Sequence, residues 1–150
     1  MKHLDKLHEL QNIVNERMSL LKVNNVDNID QYNKSIVNQS KLKHILVVAP
    51  NFNSLLRETF QNNKIIAELL ENGAKTGVYL ILQSYVANND VLDKEIYDKV
   101  SNKYIFRLSS KEESLKIFEN HRGHQLHGNG DCLSYDKDKI SSMKRIQICN

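Results

Sequence analysis

Leu42-Lys43-His44-Ile45-Leu46-Val47-Val48-Ala49, stopped by Pro50, is a short and nearly continuous apolar run. A run of this kind predicts a strand covered on both faces, as in a parallel sheet. The residues after it, Leu55, Leu56, Phe60, Ile65, Ile66, Leu69 and Leu70, recur at helical spacing, and Gly73 and Gly77 are placed to end that helix. Val78-Tyr79-Leu80-Ile81-Leu82 follows as a second strand, so the segment reads strand, helix, strand.

The pattern continues toward the C-terminus. An amphipathic stretch around Val91 to Val100 precedes a third strand, Tyr104-Ile105-Phe106-Arg107-Leu108. Ser109-Ser110-Lys111-Glu112-Glu113 offers a capping box in either register, Ser109 with Glu112 or Ser110 with Glu113, opening a helix to about Glu119. Cys132 to Tyr135 and Arg145 to Ile148 read as short strands, the last an alternating edge. Toward the N-terminus, Leu4, Leu7, Leu10, Val14, Met18 and Leu21 share one face of a helix from about residue 3 to 22, a face that needs a partner surface. Ile29 to Val37 is a short helix or irregular segment. Strands alternating with helices predict an α/β fold, a mainly parallel sheet of roughly five strands flanked by helices. The expected organisation is one domain over 1–150, with a helical lead-in over 1–41 and a sheet core over 42–150.

The chain has 150 residues, 40% of them hydrophobic, enough for one ordinary core. Its 21 basic and 18 acidic residues give a net charge of +3 without a block of either sign, which supports only weak, non-specific contact with double-stranded DNA. Two cysteines, Cys132 and Cys149, make neither a disulfide framework nor a four-cysteine zinc site and fit a reduced cytoplasm. No apolar segment approaches the roughly 20 residues needed to span a bilayer. His121, His124 and His127, with Cys132 beyond, have ligand-like spacing but no closed set of four, so a solvated loop is the expected reading. Tyr79, Tyr97 and Tyr104 fall in apolar patterns and are expected in the core. Asp131 is expected to accept bonds from turn amides.

From Gly77 onward the sequence resembles the FtsK/SpoIIIE motor domain. Gly77 to Leu82 is similar to that family's Gly-Ile-His-Leu-Val-Leu strand, with Asp90-Val91-Leu92 at the family's distance. Phe106-Arg107-Leu108-Ser109-Ser110-Lys111, with Ser114 three residues on, resembles its Phe-Arg-Val-Ser-Ser-Lys-x-x-Ser element. Gln125 to Leu133 resembles its Gln-Leu-Leu-Gly-x-Gly-Asp-Met-Leu turn and strand. Upstream, Glu16-Arg17-Met18 and Asn28-Ile29-Asp30-Gln31-Tyr32-Asn33 resemble the segments before the Walker B strand. The order and spacing of these elements, over nearly the whole chain, carry the resemblance.

The resemblance implies the latter part of a RecA-like P-loop NTPase domain without the P-loop. No Gly-x-x-x-x-Gly-Lys-Ser/Thr is present, and in the family that motif lies upstream of where this sequence begins, so the chain is either a short protein without it or part of a longer one. The Walker B Asp-Glu, which holds the Mg²⁺ shell and orients water in the family, falls at Pro50 and Asn51. The family's Ala-Thr-Gln-Arg-Pro strand end falls at Gln83-Ser84-Tyr85-Val86-Ala87, keeping only the hydroxyl at Ser84 and placing Tyr85 and Val86 where the family has Gln and Arg. An upstream family Arg falls at Ala74, beside Lys75. No catalytic, cofactor or metal residue is therefore expected, and ATP and Mg²⁺, the family's cofactors, are not expected to bind this chain alone. Arg107, Ser110 and Lys111 are candidate contacts to a neighbouring subunit or to DNA. Implied partners are further copies or an FtsK-like ring, in the cytoplasm, with any membrane tether supplied by a longer parent or a partner. The expected role is a non-hydrolysing part of a DNA translocase; the alternative is a protein-binding or scaffold module of a type VII secretion-like assembly, and an active ATPase completed by another chain is the least favoured. Lacking the Walker A strand, the fold is expected to place the strand from Ile45 to Val48 centrally, with the first helix or self-association hiding the surface left open.

Overall fold

The computed structural model describes residues 2–37, 40–54, 60–85, 94–118, 121–136 and 143–148. The chain divides into two compact units, Met1–Tyr85 and Val86–Asn150. The division falls after the second strand, so the lead-in helices share a unit with the first two strands.

In the first unit, α1 (Lys2–Val23), α2 (Ile29–Ser35), β1 (Ile45–Ala49), α3 (Phe60–Thr76) and β2 (Val78–Leu82) follow in order. Leu7, Val14 and Leu21 are buried at seven-residue intervals along α1, with Leu10 and Met18 half-buried between them. This stripe packs against α3. Burying each such side chain contributes about 1.5–3 kcal/mol. Ile65, Ile66 and Ala67 are buried in succession on α3. At 3.6 residues per turn, three consecutive buried positions need cover on more than one side, and α3 meets both α1 and β2. The Arg17 guanidinium donates to the Thr76 carbonyl at 2.7 Å, tying α1 to the C-terminal end of α3.

The Asn-Ile-x-x-Tyr-Asn segment has a local structural explanation. Asn28 caps α2 by accepting from the Gln31 N–H, and Ile29 and Tyr32 are buried. Asn33 clamps Leu42 from both sides, its Nδ2 donating to the Leu42 carbonyl at 2.9 Å and its Oδ1 accepting from the Leu42 N–H at 2.8 Å. That clamp sets the entry into β1. At the other end of α3, Gly77 sits at φ +75, and a Cβ there would lie 2.6 Å from Ile29 Cδ1. Gly77 thus closes the helix, and its carbonyl accepts from the Ile45 N–H at 2.8 Å. Gly73, expected beside it as a helix stop, instead lies inside α3.

β1 and β2 pair in parallel, Ile45 opposite Val78 and Ala49 opposite Leu82. Among the described residues this sheet has only these two strands. Both strands alternate in exposure along one face. The expectation of two covered faces is therefore corrected: an apolar run shows that a strand has no polar face, not that both faces are covered.

The second unit contains α4 (Lys94–Lys99), β3 (Asn102–Phe106), α5 (Lys111–Phe118), β4 (Asp131–Asp136) and β5 (Lys144–Gln147). β3, β4 and β5 form an antiparallel sheet in that order. The α/β class and the parallel β1–β2 pair match the sequence reading, but among the described residues the mainly parallel sheet of five strands is corrected to a parallel pair and an antiparallel three. The connection over 137–143 is too short for a parallel crossover, which takes a dozen residues or more. The link from Phe106 to Asp131 carries α5 and is long enough for either sense.

Two of the three tyrosines expected in the core are exposed, Tyr79 at 42% and Tyr104 at 56%. Each lies on the outward side of a five-residue strand, a choice of face that apolar content alone does not make. Tyr97 is half-buried, with the Lys103 ammonium 4.4 Å from its ring centre and 5.1 Å from that of Tyr135.

Candidate functional site at the strand ends

Because β1 and β2 run in parallel, their C-terminal ends lie together, where open α/β sheets bind ligands. The Gln83 N–H donates to the Ala49 carbonyl at 3.1 Å, and the Phe52 N–H donates to the Gln83 carbonyl at 3.0 Å. Pro50, Asn51, Gln83, Ser84 and Tyr85 are all exposed there, while Phe52 and Asn53 turn inward and are buried. Asn51 has φ +56, a left-handed conformation that Asn adopts more readily than most residues. Its carbonyl accepts from the Ser54 N–H at 3.1 Å and from Ser54 Oγ at 2.9 Å. The side chains presented by 50–51 and 83–85 are a proline ring, two amides, an aliphatic hydroxyl and a phenol, with no carboxylate. Val86 lies outside the described residues, and Ala74 and Lys75 are exposed on the last turn of α3.

Arg107, Ser110 and Lys111 cluster where β3 gives way to α5. Arg107 and Lys111 are exposed. Ser110 caps α5, its Oγ accepting from the Glu113 N–H at 3.1 Å. The Glu113 carboxylate returns to Ser109, accepting from its N–H at 3.0 Å and its Oγ at 2.6 Å. Of the two capping registers open in the sequence, the one with Ser110 as cap forms, with the Glu113 carboxylate returning one residue further, to Ser109. Ser114 is buried and its Oγ accepts from the Gly123 N–H at 3.1 Å, so the last serine of the Ser-Ser-Lys-x-x-Ser element holds the following turn.

His121 and His127 are exposed, and the turn through 121–125 is closed by His124 N–H to His121 carbonyl and Gln125 N–H to Arg122 carbonyl bonds. Among the described residues no three His, Cys, Asp or Glu side chains converge as a metal site would need. Gly128, Asn129 and Gly130 all have positive φ, which explains the glycines of this turn. Asp131 accepts from the His127 N–H at 2.6 Å, and it also takes two bonds from Arg145, at 2.8 Å and 2.6 Å. Arg145 was legible only as part of an edge strand; its pairing with Asp131 depends on the β4–β5 register.

Arg145 and, after it, the His127 amide lower the Asp131 carboxyl from its ordinary 3.8 to about 2. The folded unit therefore favours the ionised form, and the pair's contribution is fully present above pH 4 and lost as pH falls toward 2. The difference in melting temperature between the parent and Asp131→Asn is expected to stay constant from pH 7 to 5 and to close between pH 4 and 2. A difference that does not change over that range would show that the pair carries none of it.

These features define an α/β fold whose parallel β1–β2 pair presents proline, amide and hydroxyl side chains at its C-terminal ends. No protein-family model matches the chain, and no curated protein sequence matches it. Solved structures do. The chain is similar to the pCW3 conjugation coupling protein TcpA, in its monomer form with ATPγS, at TM-score 0.85 and 19% identity over 95% of this chain and 42% of that one. It is similar to the cytoplasmic domain of the Thermomonospora curvata type VII secretion ATPase EccC, at TM-score 0.79 and 16% identity over 99% of this chain and 18% of that one. It is also similar to EssC, ATPases 2 and 3, from Geobacillus thermodenitrificans, at TM-score 0.77 and 15% identity over 95% of this chain and 26% of that one. The fold is that of FtsK/SpoIIIE-type motor domains, as the sequence resemblance implies, and the chain spans less than half the length of each of these structures. No described helix is long and apolar enough to cross a membrane.

Proposed function

We propose that the chain is a non-hydrolysing part of an FtsK/SpoIIIE-type translocase, working within or beside a ring of ATP-driven subunits in DNA transport such as chromosome segregation or conjugative transfer. The observation that carries this reading is the pair Pro50 and Asn51 at the end of β1. Phosphoryl transfer there needs a carboxylate for the Mg²⁺ shell and a second to orient water. Proline offers no ligand, and Asn51 offers a neutral amide on a residue whose carbonyl is committed to the next turn. Arg107, Ser110 and Lys111 are the proposed contacts to a ring neighbour or to DNA phosphate. One of the three structures described above, EccC, is a type VII secretion ATPase, which favours as a second reading a protein-binding or scaffold module of such an assembly.

The experiment is a phosphate-release assay with and without linear double-stranded DNA, joined to a mobility assay at low and moderate salt. The expected result is no release above background in either case, with weak DNA binding that disappears at the higher salt. DNA-stimulated release would overturn the reading. DNA binding that survives the higher salt would instead indicate a dedicated nucleic-acid module.

A further inference from the structure

The chain contains two Asn-Gly pairs, Asn72-Gly73 and Asn129-Gly130, which the fold holds in contrasting surroundings. Asparagine before glycine is prone to succinimide formation, because a following residue without Cβ leaves its amide nitrogen open to close approach. That nitrogen must reach the asparagine Cγ, so the peptide between the two residues has to be able to turn. Asn72 lies inside α3, where a ψ of about −42° points the next amide nitrogen away from the side chain and bonds it to the carbonyl four residues back. Gly73 is buried, and the Val78 carbonyl oxygen lies 2.5 Å from where its Cβ would be, which leaves its peptide no room to rotate. The buried Thr76 hydroxyl also donates to the Asn72 carbonyl at 3.1 Å.

Asn129 stands instead in the turn before β4, exposed and at φ +50, with Gly130 at φ +86. Among the described residues neither the Asn129 side-chain amide nor the Gly130 N–H makes a hydrogen bond. The Asn129 carbonyl accepts from Gln147 Nε2 at 2.5 Å, but Gln147 is itself exposed and can follow the peptide as it turns. We propose that Asn129 is a site of spontaneous deamidation and that Asn72 is protected from the same reaction. The Gly130 nitrogen attacks Asn129 Cγ and gives up its proton; the bond from Cγ to Nδ2 breaks, and Nδ2 leaves with that proton as ammonia, closing a succinimide. Water then opens the ring at either carbonyl, leaving aspartate or isoaspartate. One water is consumed and one ammonia released, with no oxidant or reductant. Either product puts a carboxylate into the recess that Asn129 shares with Asp131 and Arg145, where it competes with Asp131 for the guanidinium. Isoaspartate also adds a backbone atom to a turn closed by the Asp131 N–H to Gly128 carbonyl bond at 3.0 Å. The reaction therefore loosens the start of β4 as the protein ages. It does not depend on the ATPase reading, since neither residue is at the strand-end site.

The test incubates the intact chain in mildly alkaline buffer, native or in urea, and follows both Asn-Gly peptides by mass spectrometry for conversion of amide to acid. In the native chain Asn129 is expected to convert at least about tenfold faster than Asn72, which must wait for α3 to open, and in urea the two rates converge. The control is Asn129→Gly, which suits the positive φ and removes the reacting amide; its fold is checked by circular dichroism. After the same incubation the parent is expected to melt below its fresh sample and Asn129→Gly to melt unchanged. Equal native rates at the two pairs, conversion of Asn129 in urea alone, or an aged parent that melts as the fresh one does would each overturn the proposal.

Discussion

Val14→Asp is expected to unfold the first unit. Val14 is 2% exposed at the middle of the α1 stripe, between buried Leu7 and Leu21, and the stripe lies on α3. A carboxylate there loses its water without gaining a partner, and burying an unpaired charge is among the few single changes that cost about 4 kcal/mol or more. Domains are stable by about 5–15 kcal/mol in total, and a unit of this size sits toward the lower end. Adding Leu7→Asp, at 8% exposure one helical heptad away, should complete the loss. Asn15→Asp, on the exposed side of the same turn, is the control and should leave stability within about 0.5 kcal/mol. Urea unfolding followed by circular dichroism measures all three. A Val14→Asp protein with the parent's midpoint would mean that α1 does not hold the core.

Gly73→Ala is expected to destabilise by about 2–3 kcal/mol, opposite in sign to the usual effect of the change. Inside a helix, alanine ordinarily gains about 1 kcal/mol over glycine. Here the added Cβ would lie 2.5 Å from the Val78 carbonyl oxygen. That oxygen is backbone and cannot rotate away as a side chain would. Relieving the contact means moving the first residue of β2, which is held through Gly77 to β1 and through the strand register to Ile45. The glycine therefore permits close approach of helix and strand. Denaturant midpoints for Gly73→Ala, with the exposed Ala74→Ser as control, decide the sign; a more stable Gly73→Ala protein would contradict this packing.

Gly73 shows what the sequence could and could not convey. Two glycines bracketing the end of an apolar helix read naturally as a stop signal, and Gly77 fulfils it; the need for a bare Cα at Gly73 arises from a neighbour that only the fold supplies. Helices and strands with strong periodicity were legible to within a few residues, as α1 and β2 illustrate. The apolar run sets the strand after α4 two residues late, because Leu108 continues the run but is buried beyond the strand, its N–H donating to the Gly123 carbonyl at 3.1 Å.

The sense and partition of the sheets were less legible, since strand pairing is a relation between segments. The outward positions of Leu46, Val48, Tyr79 and Tyr104 depend in the same way on which face is covered. The strand-end candidates were legible because Pro50, Asn51, Ser84 and Tyr85 follow directly from strands that the sequence marks well. Arg145 was not, because its partner Asp131 lies on another strand.

Calorimetric titration of the intact chain with Mg-ATP tests the central claim most directly, because it reads the strand-end site without requiring turnover or a cargo. With Pro50 and Asn51 at the end of β1 and no P-loop in the sequence, the expected result is no heat of binding at ATP concentrations up to about 1 mM, corresponding to a binding free energy weaker than about 4 kcal/mol. A saturable isotherm with a micromolar Kd, lost on chelating Mg²⁺, would contradict the account.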